Sequence, residues 1–154
     1  MLVIVADHHR CQCYATDRLK PPWTNVASLV NPSASLSEHE LGSDSPGRVL
    51  NRGSGAHQAY APPSTIHEEA LRKFSRAIAD WVTQRTGAEG AATVALVAEP
   101  RLLHEIKQAC PPPVRHKVAL ELPKDMTHAT LPDLAERLRA AAAERFRADE
   151  QLLS

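Results

Sequence analysis

Large aromatic side chains are scarce in this 154-residue chain: two Trp, two Tyr and two Phe. Its core must therefore be built mainly from aliphatic residues. No apolar run approaches the roughly 20 residues needed to cross a bilayer, and the opening Leu2–Ala6 run stops at Asp7, too short for a secretory leader. Cysteine is limited to three residues, an odd number that suits free thiols in a reducing cytoplasm better than a disulfide framework. Net charge is also missing: 18 basic residues balance 18 acidic ones, so no whole-molecule field draws in nucleic acid or lipid. Any polyanion site must be a local patch, to which the eight histidines add charge on mild acidification.

What the chain does have is a clear order of elements. Leu2 to Ala6 is continuously apolar, as in a central strand covered on both faces. Cys11 to Thr16 alternates, with Cys11, Cys13 and Ala15 on one side, which predicts a second, antiparallel strand. Thr24 to Val30 predicts a third, ended by Asn31–Pro32. Leu71, Phe74, Ile78, Trp81, Val82 and Arg85 recur at helical spacing, so Ile66 to Arg85 reads as an amphipathic helix. Thr65 with Glu68 three residues on forms a capping box at its start, and Gly87 is placed to stop it. Thr93 to Ala98 reads as another buried strand. Pro100 opens a helix carrying Leu102, Leu103 and Ile106, ended by Pro111–Pro113. Lys117 to Leu122 predicts a strand with Val118, Leu120 and Leu122 on one face. Thr130 caps a last helix through Leu134, Leu138, Ala141, Ala142 and Phe146.

That order predicts one three-layer α/β domain over residues 1–154, a mixed five-stranded sheet with helices on both faces. Its expected core is Val3, Val5, Leu29, Phe74, Ile78, Trp81, Val94, Leu96, Ile106, Leu120 and Leu138.

Between the third strand and the long helix lies a polar stretch, Asn31 to Thr65, holding Gly42, Gly47, Gly53 and Gly55 with arginines interleaved. Compact domains seldom keep so long a connection unless it is functional or disordered. Pro46 and Gly47 suit a type II turn that fixes Arg48 at its exit. There Arg48 either meets a phosphate or carboxylate or pairs with Asp44 or Glu40. The segment Arg52-Gly53-Ser54-Gly55-Ala56-His57-Gln58 lets backbone N–H groups approach an anion. With Tyr60 available to stack, Arg48 and Arg52 outline a local RNA-binding edge; a solvated loop has the same composition.

Other candidates are weaker. Asp7, at the end of the first strand, stands where two-metal nucleases place a ligand, with Glu99, Glu121 and Asp125 as partners to converge on it. The alternative is that Asp7 caps the following turn. His67 sits in a helix first turn beside Glu68, and no zinc-spaced motif accompanies it. Lys124 and Asp125 follow the fifth strand at a carboxyl end, where open α/β sheets place ligands; a turn cap and a solvated lysine account for them equally well. No nucleophile elbow or dinucleotide fingerprint is present, and no cofactor is expected.

Several stretches together resemble the bacterial host attachment protein family: VIVAD, LVNPSASLSEHELGSDSPGR, HEEALRKFSRAIADWV, LVAEPRLLHEIK and ELPKDMTH. The family's recurring pieces fall here on Asp44–Arg48, Gly53–His57, His67–Glu68, Val97–Leu103 and Lys124–His128. That family looks related to the middle domain of peptide-chain release factors, which implies a ribonuclease H-like sheet. In those factors a Gly-Gly-Gln loop precedes a long helix, the place Arg52–Gln58 takes here. Because Ala56 and His57 separate Gly55 from Gln58, peptidyl-tRNA hydrolysis does not carry over. The resemblance implies a non-catalytic cytoplasmic binding protein with the ribosome or structured RNA as partner. Alternatives are a metal-dependent phosphoester hydrolase using Asp7 and a role in cell attachment.

Overall fold

The computed structural model describes residues 1–33, 63–89 and 93–153. In chain order the elements are β1 (Leu2–Ala6), β2 (Arg10–Ala15), β3 (Thr24–Val30), α1 (Pro63–Glu89), β4 (Val94–Ala98), α2 (Pro100–Ala109), α3 (Pro112–Arg115), β5 (Val118–Pro123) and α4 (Leu131–Leu153). The strands form one sheet in the order β3-β2-β1-β4-β5. β1–β2 and β2–β3 pair antiparallel, while β1–β4 and β4–β5 pair parallel. This is the expected mixed five-stranded α/β arrangement.

The continuous apolar runs are the two central strands, and every residue of β1 and β4 is buried. Alternation then divides their side chains between two cores. Leu2, Ile4 and Ala6, with Val94, Leu96 and Ala98, pack against α1, α2 and α3. Val3, Val5, Ala95 and Val97 face the other way, onto Leu134, Ala135 and Leu138 of α4 and onto Trp23. Cys11 and Cys13 lie on the α1 side, as the alternation of β2 requires. Leu29 and Trp81, expected inside, are only half-buried at the rim of that core, and the other nine expected core residues are buried.

Four expectations fail. α1 begins at Pro63 and ends at Glu89, so Thr65 is inside the helix rather than its cap, and Gly87 does not stop it. Core contacts continue to Val82 and Thr86, the latter fully buried with its hydroxyl on the Val82 carbonyl, so packing carries the helix through the glycine. Val118 does not share a face with Leu120. The β4–β5 pairing slips between Val94–Val118 and Ala95–Leu120, leaving Ala119 as an extra residue, and Val118 packs with the α1-side core. Phe146 is 66% exposed rather than inward, because α4 has by then run past the start of β5.

Candidate functional site

The three parallel strands β1, β4 and β5 end side by side at Ala6, Ala98 and Pro123, and the turns that follow them make one polar edge. Open α/β sheets bind ligands at this end, because the turns there are free to vary while the strands hold them in place. From β1 the edge receives Asp7, His8, His9 and Arg10; from β4, Glu99 and Arg101; from β5, Lys124 to His128.

Asp7 is the best-anchored of these groups. Its Oδ1 accepts the backbone N–H of His9 at 2.7 Å and of Arg10 at 2.8 Å, which closes the β1–β2 turn. Its Oδ2 accepts the Thr127 hydroxyl at 2.9 Å, a link across 120 residues of sequence. Burial by itself would raise the pKa of this carboxyl. The N–H groups of Arg10 and His9, the Thr127 hydroxyl and the neighbouring His9 outweigh it and hold the group below its usual range.

Thr127 is shared. Its hydroxyl oxygen lies 2.7 Å from Asp125 Oδ1, and that same oxygen accepts the Thr127 backbone N–H at 3.1 Å. A hydroxyl has one hydrogen, so the two carboxylates compete for it. Arg10 Nη2 completes the join from the β2 side, 3.4 Å from the Thr127 carbonyl and 3.4 Å from His128 Nδ1. Glu99 caps α2, accepting from Leu102 N at 2.9 Å, and its Oε1 also meets His8 Nε2 at 3.2 Å.

Both described flanks of the polar stretch reach this edge. Asn31 donates its backbone N–H to the His9 carbonyl and its side-chain amide to the His8 carbonyl. On α1, Glu68 pairs with Arg101 at 3.2 Å. The candidates Asp44, Gly47, Arg48, Arg52, Gly53, Gly55, His57 and Gln58 themselves lie outside the described residues.

Of the remaining candidates, Asp125 is a turn cap and Lys124 an exposed neighbour at the same edge. His67 is exposed on α1, and Glu121 is taken up by a salt bridge to Lys107. Asp7 and Asp125 are brought together through Thr127, but among the described residues no group of three or more His, Cys, Asp or Glu is placed to hold a metal ion. Cys11 and Cys13 approach to 3.8 Å between sulfurs; hydrogen bonding to Cys13 and burial push the Cys11 thiol well up, the condition of an unreactive core cysteine.

Reasoning from sequence missed Thr127, Arg10 and the His8–Glu99 pair. Thr127 falls within the KDMTH stretch that stood out by resemblance, but nothing local to it announces a bond to a residue in the first strand.

No curated protein matches the chain in sequence. The family described as "Protein required for attachment to host cells" matches residues 2–138, from the first strand into α4. That span takes in the whole sheet and every residue of the polar edge, so the chain belongs to this host attachment family.

Proposed function

We propose that this protein works by binding rather than by catalysis, and that its partner is structured RNA or the ribosome, engaged at the carboxyl edge of the sheet. The observation that carries this reading is the state of Asp7. A carboxylate that accepts two backbone N–H groups and a hydroxyl has about three of its four acceptor sites committed to holding the fold, whereas a metal-dependent hydrolase turns its carboxylate oxygens toward the ion. Asp125 and Glu99 are likewise engaged with backbone N–H groups. The edge also carries basic and imidazole side chains, His8, His9, Arg10, Arg101, Lys124 and His128, of which His8 meets Glu99, Arg101 meets Glu68 and Arg10 meets the Thr127 carbonyl and His128.

In this reading the segment 44–60 supplies further phosphate contacts through Arg48 and Arg52, and its glycines allow close backbone approach. The strand order, with β1, β4 and β5 parallel and β2 and β3 antiparallel, is compatible with the ribonuclease H-like sheet that the resemblance implies, and the translation-related partner rests on that resemblance. The test is co-sedimentation with ribosomes at low and high salt. Arg48→Ala with Arg52→Ala should weaken binding and flatten its salt dependence. Absence of co-migration at low salt would sink the proposal.

A second reading is favoured by the family's description: a role at the cell surface in attachment. No helix among the described residues is long and apolar enough to cross a membrane. Fractionation of native cells separates the two readings.

A further inference from the structure

The connection between β2 and β3, Thr16–Trp23, is longer than the roughly two to five residues that join most antiparallel neighbours. Its extra length forms a cleft of about 440 Å³, lined chiefly by Thr16, Asp17, Arg18, Lys20, Pro21 and Pro22. That volume is within the range of small-molecule sites. Ala15 pairs with Leu2, so the cleft lies at the start of β1, the opposite end of the sheet from the polar edge that follows Ala6. The binding proposed above does not use it.

The backbone around the cleft is held in place. The Thr16 N–H donates to the Met1 carbonyl at 3.0 Å, and the Thr16 hydroxyl closes a tight turn by donating to the Arg18 carbonyl at 2.5 Å. Leu19 packs against the α4-side core, and its carbonyl accepts Arg139 Nη1 of α4 at 2.6 Å. Trp23, buried against Tyr14, anchors the end that enters β3. A cleft built before its ligand arrives lowers the ordering cost of binding. Between these anchors Asp17, Arg18 and Lys20 are exposed, and neither cation has an ion-pair partner among the described residues. A guanidinium and an ammonium suit a phosphate, which Arg18 can take bidentately. Asp17 repels a bare anion but accepts hydroxyl groups, and inorganic phosphate would leave most of the cleft unfilled. A phosphate carried on a hydroxylated body answers both features, with the two prolines as its apolar wall.

We propose that this cleft binds a small phosphomonoester with a hydroxylated body, its phosphate on Arg18 and Lys20 and its hydroxyls on Asp17. Calorimetric titration of the full chain with AMP and with β-glycerophosphate should give a Kd of about 0.01 to 1 mM. Adenosine and inorganic phosphate, each lacking one half of the ligand, should bind at least about tenfold more weakly. Tighter binding of AMP assigns the proline wall to a base, and equal binding assigns the site to polyol phosphates; both uphold the proposal. Arg18→Ala with Lys20→Ala should weaken the esters at least about tenfold, with an unchanged melting curve because both side chains are exposed. Amide shifts during the titration should centre on Thr16–Thr24. No heat and no shift with either ester up to about 10 mM overturns the proposal. So does inorganic phosphate binding as tightly as the esters, a double variant that binds like the parent, or shifts centred on the polar edge.

Discussion

The two faces of the sheet are built differently. On one, three helices share the work: α1 contributes Leu71, Phe74, Ile78 and Val82, α2 adds Leu102, Leu103 and Ile106, and α3 adds Val114. On the other, α4 works almost alone through Leu134, Ala135 and Leu138, with Trp23 from the connection before β3 filling the side. A face shared among helices has several ways to cover a strand. A face covered by one helix depends on a few contacts near that helix's start, and the rest of the helix is left for other uses.

The comparison can be broken by substitution. Phe74→Ala on the three-helix face should cost about 3–5 kcal/mol and Leu138→Ala on the α4 face about 2–5 kcal/mol. Because β1 and β4 serve both faces, each variant should melt in one transition at lower temperature. Two transitions in calorimetry would mean the faces are not coupled through the sheet. Trp81→Ala should cost less than Phe74→Ala, since Trp81 is only half-buried.

Asp7→Ala, at the edge between the faces, should cost about 1–2 kcal/mol. It should also change the acid response. The folded-state pKa of Asp7 lies below its unfolded value, so its contribution is complete above the unfolded pKa, near 4, and fades as pH falls through the folded one. Chemical denaturation between pH 5 and pH 2, with those limits set by about one unit above and two below the unfolded value, should therefore show a smaller loss in Asp7→Ala than in the parent. Equal losses would show that Asp7 is not the group titrating. Glu99→Ala removes the α2 cap and should cost about 1 kcal/mol in the same assay. The smallest effect belongs to the exposed end of α4: Phe146→Ser should move the stability of the dilute chain by no more than about 0.5 kcal/mol.

Much of the fold was legible because periodicity reports burial directly. The unbroken runs at Leu2–Ala6 and Val94–Ala98 are the strands covered twice, and the alternation at Cys11 and Cys13 gave the inward face of β2. Alternation failed at Val118, where an extra residue changes the phase and leaves no mark in composition. The local stop signal failed at Gly87, where contacts made by Val82 and Thr86 outweigh a glycine's preference, and the cap signal failed at Thr65, because the helix has already begun at Pro63. At the polar edge, Asp7 was visible as an acid after a strand, and Asp125 and Lys124 as a pair at another strand's end. The bond that unites the edge was not, since no pattern in one sequence connects Asp7 with Thr127.

That bond has a consequence for motion. The one hydroxyl hydrogen can serve Asp7 or Asp125 but not both at once, so the turn after β1 and the loop after β5 are joined by a bond that either carboxylate can take from the other. Thr127→Val breaks that join and should speed deuterium exchange of the Thr127 amide more than that of the His9 and Arg10 amides, which Asp7 Oδ1 still holds.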